Sequence, residues 1–291
     1  MNRRAFLTGM AATALVSCGS GHDRLTVGSK NFTEQLILGE LLAQALESST
    51  HSPVDRRFYL AGSYICHQAV LAGRIDMYVE YTGTALAAIL KEQPNSSDSA
   101  AVYQHVRDQY QRRFDLVVMP PLGFDNTFAM VMRADDARGM HLASLSDLAP
   151  VAPKLRIGVG YEFLERKDGL PGLAATYGLK FAEAPRVMDL GLLYRALLNK
   201  QVDIVAGSNT DGLIAALGLT VLKDNKRYFP PYDAVPIVRS KTLTHDSRID
   251  ETLNRLAGKI SADAMRKMNY AVDGEKRDAA DVAKEFLQTV S

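Results

Sequence analysis

Residues 225–238 read NKRYFPPYDAVPIV. Three prolines and three aromatics fall in this run. Pro230 and Pro231 fix φ and disfavour helix at the preceding residue, so the segment is expected to be extended. The residues that follow, AVPIVR, read as a strand. They come after the second of two strand–helix series, so they can return the chain to the sheet of the first. A second proline pair, Pro120–Pro121, stands where the first series ends. Two such crossovers would join two α/β lobes, one of them discontinuous. A single long doubly wound sheet is the simpler alternative.

The first series runs LTVGS (25–29), a helical pattern from Asn31, VDRRFYL, the helix YICHQAVLAG, the strand IDMYVEY, the helix TGTALAAILKE, a loop at 94–99, and AVYQHVRDQYQRRF. Ile37, Leu38, Leu41, Leu42 and Ala45 recur at helical spacing, and Asn31 with Glu34 reads as an N-cap and its box partner. The second series opens with the strand FAMVMR at Phe128. It continues through LRIGVG, the turn-rich RKDGLPG (166–172), the helix LGLLYRALLNKQ, the strand VDIVAGS, TDGLIAALG and LTVLKD. Three helical patterns close the chain. Repeated strand–helix alternation argues for parallel-type sheets covered by helices on both faces. The expected organisation is residues 25–121 with 230–291 as lobe I, and 122–229 as lobe II.

The 291 residues are 47% hydrophobic and 23% charged, with a formal charge of +1. Residues 1–17 carry two of the 34 basic residues, Arg3 and Arg4, and none of the 33 acidic ones. Without them the charge is near −1, which gives no electrostatic reason to expect nucleic acid or an anionic membrane surface as a partner. MNRRAFLTGMAATALVSCGSG reads as a processing segment. NRRAFLTG resembles a twin-arginine export signal, and LVSC, ending at Cys18, resembles a lipobox. Residues 1–17 are therefore read as a lipoprotein signal peptide, Cys18 as the lipidated residue and 18–24 as a tether. That leaves Cys66 alone, with no disulfide framework; it sits in an apolar stretch and reads as an inert thiol.

Enzyme motifs are lacking: the chain has no GxSxG, HExxH, Walker A sequence or CxxC, and its six histidines show no ligand spacing. No cofactor, metal or catalytic group is expected. Polar and aromatic residues instead collect where strands feed helices: Ser29–Thr33, Ala61–Tyr64, Tyr81–Thr84, Gly160–Phe163 and Ser208–Asp211. In open α/β sheets ligands bind at such junctions. Tyr81 and Tyr232 stand beside turn or crossover residues, and ring faces attract a cation through the π quadrupole. A quaternary ammonium suits a cage of this kind because it has no N–H to donate.

GSKNFTEQ (28–35), EYTGTAL (80–86), PPLGFDNTFAM (120–130), NTDG (209–212), KRYFPPYDAVPIV (226–238), LAGKIS, MNYAVDG and VAKEFL together resemble the substrate-binding proteins of osmoprotectant ABC importers. The resemblance covers nearly the whole mature chain. It implies the type II periplasmic-binding-protein fold. It also implies capture of a solute such as glycine betaine, choline or carnitine, and delivery to a membrane permease and its ATPase by a monomer held at the membrane through lipid on Cys18. For the site it implies an aromatic cage of Tyr81, Phe128 and Tyr232. A fourth ring is common in that family where this chain has Ser208; Tyr161 or Phe163 could fill the gap, or it stays open. Lys30, Asn31, Ser63, Thr84, Asn126 and Thr210 are candidate donors to a ligand carboxylate. A different amine or amino-acid-derived solute is the competing expectation, motivated by Ser208.

Overall fold

A computed structural model describes residues 24–93 and 98–290. The expected signal peptide 1–17, Cys18 and all of the expected tether except Arg24 lie outside the described residues. Ten strands form two five-stranded sheets. The first is ordered β2 (Asp55–Arg57), β1 (Thr26–Gly28), β3 (Met77–Tyr81), β10 (Ala234–Arg239), β4 (Leu116–Val118). The second is ordered β7 (Arg186–Val187), β6 (Ile157–Val159), β8 (Ile204–Ser208), β5 (Phe128–Arg133), β9 (Leu219–Leu222).

Both sheets are mixed rather than wholly parallel. β1 runs parallel to β2 and β3, but β10 lies antiparallel between β3 and β4. In the second sheet β5 holds the corresponding place, antiparallel to β8 and β9. The reason is topological. Each antiparallel strand is the first one laid down after a crossover, so it enters its sheet from the other lobe's side. AVPIVR is a fully interior strand, with Pro236 paired to Val79 and all but Arg239 buried.

The crossovers are themselves paired. Leu122 N–H donates to Ala234 O at 2.9 Å, Ala234 N–H to Phe124 O at 3.1 Å, and Asn126 N–H to Tyr232 O at 3.0 Å. Asp125 and Asp233 form an isolated antiparallel bridge. Proline at 120–121 and 230–231 keeps both segments extended, which is what lets them zip together.

Helix Thr33–Thr50 is buried on nearly every side, by the sheet and by the three C-terminal helices Ser247–Leu256, Ala262–Asp273 and Ala279–Val290. This explains why those helices end the chain: they are the outer cover of the first lobe. One apolar cluster runs through both lobes by way of Tyr81, Phe124, Phe163, Phe229 and Tyr232. Smaller clusters fill the far side of each sheet. Among the described residues no helix is long and apolar enough to cross a membrane.

Candidate functional site

The loop between β1 and helix Thr33–Thr50 carries Lys30 into the interior, where it is only 2% exposed. Its Nζ donates to Glu80 Oε1 at 2.5 Å and to Ser63 Oγ at 3.2 Å. It also stands 4.5 Å from the centroid of the Tyr81 ring. Glu80 is fully buried and accepts the Tyr81 N–H as well. A buried charge persists only when paired; this pair lies directly under a ring face. Asn31 donates its N–H to Ala61 O at 3.1 Å, tying the loop to residues 57–61. There Tyr59 and Ala61 take φ of 62° and 78°, a left-handed conformation that costs a non-glycine residue energy.

Asn31 does not cap the helix, and Glu34 is not its box partner. The N-cap is Phe32, with no side-chain cap. Glu34 points inward instead, because position 34 shares the apolar stripe with Ile37, Leu38 and Leu41. Its Oε1 accepts from Tyr81 OH at 2.6 Å and Asn126 Nδ2 at 2.7 Å. Its Oε2 accepts from Thr210 Oγ1 at 2.6 Å and Asn269 Nδ2 at 3.0 Å. Burial pushes its carboxyl above the usual range even though all four hydrogen bonds oppose the shift. One carboxylate thus joins the first lobe, a crossover (Asn126) and the second lobe (Thr210). Neighbouring Gln35 is 1% exposed, and its buried amide lies within reach of the Tyr81 hydroxyl.

On the second lobe Phe128 begins β5 and meets three rings: Phe163 at 4.8 Å, Tyr232 at 5.5 Å and Phe229 at 5.7 Å between centroids. The Arg166 guanidinium stands 5.3 Å from the Phe128 centroid. Arg166 pairs in fork fashion with Asp168 and reaches across to Thr84 Oγ1 at 3.1 Å. Burial would lower the guanidinium's pKa, but the hydrogen bonds and charge of Asp168 hold it raised. Tyr232 OH donates to the same Asp168 at 2.7 Å. Burial, then the Asp168 charge, drives the Tyr232 hydroxyl well above its ordinary pKa, so it stays a donor. Gly83 is required here: a Cβ on it would lie 2.7 Å from two atoms of the Tyr232 ring.

The geometry therefore places Tyr81, Phe128, Tyr232, Lys30, Ser63, Thr84, Asn126 and Thr210 along one interlobe seam, in two groups. Lys30, Ser63, Tyr81, Asn126 and Thr210 surround Glu80 and Glu34; Phe128, Tyr232 and Thr84 surround Arg166 and Asp168. Ser208, where a fourth ring was expected as a partner for Tyr232, instead pairs with Phe128 across β5 and β8. Tyr161 does not fill that gap. It is 69% exposed, because as the first residue of helix Tyr161–Glu165 it turns to solvent, while Phe163 turns inward onto Phe128. Arg166, Asp168, Glu34, Gln35 and Asn269 were not among the expected site residues. Glu34 could have been found as a polar residue on an apolar stripe. Arg166 and Asp168 are hidden in a run that reads as a turn.

A family model for the substrate binding domain of the ABC-type glycine betaine transport system, OpuAC, matches residues 23–289. The chain belongs to this family. Its members are transport proteins rather than enzymes, and the two-lobed α/β fold is of the type II periplasmic-binding-protein class. The carnitine transport binding protein OpuCC of Listeria monocytogenes is 35% identical over 272 residues, covering 93% of this binding protein and 88% of the relative. The ergothioneine transport permease/ergothioneine binding protein EgtU of Helicobacter pylori is 33% identical over 265 residues, 91% of this chain but 47% of that longer one. A crystal structure of a glycine betaine/carnitine/choline ABC transporter superposes with a TM-score of 0.74 at 34% identity, covering 91% of this binding protein and 98% of that chain.

Proposed function

We propose that this binding protein captures a quaternary amine bearing a carboxylate, such as carnitine or glycine betaine, between its lobes and hands it to an ABC importer. The observation that carries this reading is that two ring faces of the seam already hold cations: Lys30 over Tyr81 and Arg166 over Phe128. Faces that attract the protein's own cations suit a trimethylammonium group. The cations themselves suit a carboxylate, with Arg166 exchanging Asp168 for the solute, since guanidinium binds carboxylates bidentately. Gln35, Ser63, Thr84, Asn126 and Thr210 supply further polar contacts, and Asn31 holds the loop that presents Lys30.

In this reading lobe I comprises residues 25–121 and 230–291 and lobe II residues 122–229. The chain is exported and anchored through lipid on Cys18, works as a monomer, and meets a permease and its ATPase at the membrane. A second reading, an amino-acid-derived solute bulkier than glycine betaine, is favoured by the small Ser208 opposite Phe128. It agrees with the ergothioneine for which the Helicobacter relative is named.

Calorimetry with glycine betaine, carnitine, proline betaine, ergothioneine and choline tests both. The chain has no Trp, so heat is a better signal than fluorescence. Solutes with a carboxylate should bind, and choline, which has none, should bind roughly tenfold or more weakly, the loss of one charged hydrogen-bonded contact. Strongest binding of ergothioneine, itself a carboxylated quaternary amine, would keep that class of solute and select the bulkier one of the second reading. No binding by any of the five at millimolar concentration would defeat the first.

A further inference from the structure

Helix Ser63–Leu71 starts without a cap of its own. Its N-cap is Gly62, which has no side chain to accept the first N–H groups. The acceptor comes from the other lobe: Glu162 Oε1, on helix Tyr161–Glu165, receives the Ser63 N–H at 2.7 Å. The contact is close: a Cβ at position 62 would lie 2.1 Å from that same oxygen and would push the Glu162 carboxylate off the helix end. A carboxylate at a helix N-terminus is favoured both by the orphan N–H and by the helix dipole. One turn further on, Arg166 makes its own reach across the seam to Thr84.

We propose that Glu162 is a closure latch, a positioning residue of one lobe that caps a helix of the other. The helix is capped only while the lobes are together, so the capping free energy is present in the closed, solute-retaining form and absent from the open one. Glu162 need not touch the solute to set how long it is held. The proposal deepens the binding-protein reading and rests on it for its effect on affinity, though the cap itself does not.

The test uses glycine betaine and carnitine as probes. Glu162→Ala should weaken binding about fivefold, chiefly through faster dissociation, the usual consequence of losing one cap. Glu162→Gln keeps the acceptor oxygen and should recover part of the loss. The double variant Glu162→Ala/Gly62→Ser discriminates between roles, because the introduced hydroxyl caps the helix from its own lobe without bridging the seam. It should restore slow amide exchange at residues 63–65 and leave affinity low. Wild-type affinity in either the single Ala or the double variant would overturn the latch. If neither probe binds the wild-type protein, the solute reading has failed instead. Exchange at residues 63–65 in the solute-free protein then decides the latch alone: faster in Glu162→Ala supports it, unchanged overturns it.

Discussion

Arg166 and Asp168 illustrate how much of the site depends on single side chains. RKDGLPG has the composition of a turn, and nothing in its spacing distinguishes a solvated arginine from one buried against Phe128. Only the tertiary pairing of Asp168 with both Arg166 and Tyr232 makes the difference. Lysine is no equivalent for a guanidinium that binds one carboxylate by two parallel hydrogen bonds and stacks on a ring. Arg166→Lys should therefore cost roughly tenfold or more in affinity for carnitine and glycine betaine, and little for choline. Titration calorimetry on the pair of proteins checks this; an equal loss for choline would assign Arg166 to folding or to lobe closure rather than to the solute carboxylate. Glu34 makes the same point from the other side. Asn31-x-x-Glu34 matches a capping box, yet the apolar stripe decides: position 34 faces inward, and four donors converge on it.

Strands and helices are more legible than side chains. FAMVMR is β5 to the residue, Phe128–Arg133, because a central strand buried on both faces reads as a continuous apolar run. TGTALAAILKE reads as one helix, but the chain gives a short α-turn at Thr82–Thr84 and then a π-helical stretch, Ala85–Leu90. π segments cluster at functional sites, and this one follows the glycine on which Tyr232 rests. The loop after β8 carries the clearest titration. Asp211 accepts from Tyr194 OH at 2.5 Å and from Ser208 N–H at 2.8 Å. Burial, with the charges of Glu34 and Asp273 nearby, still pushes its carboxyl up to about 6. A raised carboxyl favours the native state while protonated. Its contribution is complete below about pH 4 and is lost as the pH rises through about 6. Asp211→Asn keeps an acceptor for Ser208 and does not titrate. Relative to wild type it should gain up to about 3 kcal/mol of stability between pH 4 and pH 7. Urea midpoints at pH 4, 5, 6 and 7 measure this, and a constant difference across the series would show that Asp211 titrates alike folded and unfolded.

For the molecule as a whole, two proline pairs are enough to suggest two lobes joined twice. Parallel-type sheets are expected and mixed ones are found, since the alternation of strand and helix says nothing about a strand that arrives from another lobe. The pairing of the crossovers with each other is not legible either. It depends on hydrogen bonds between segments more than a hundred residues apart, such as Asn126 N–H to Tyr232 O. In the proposed function that pairing is a short two-stranded hinge, with the candidate ligand groups on it and on both sides of it, suited to hinge closure around a solute. In the proposed binding mode a solute ammonium takes over ring faces that Lys30 and Arg166 now occupy. A crystal structure with bound carnitine tests it most directly. The expected result is the trimethylammonium within about 6 Å of the centroids of Tyr81, Phe128 and Tyr232, with the Arg166 guanidinium turned from Phe128 onto the solute carboxylate. An ammonium seated away from these rings, with Arg166 still stacked on Phe128, would contradict it.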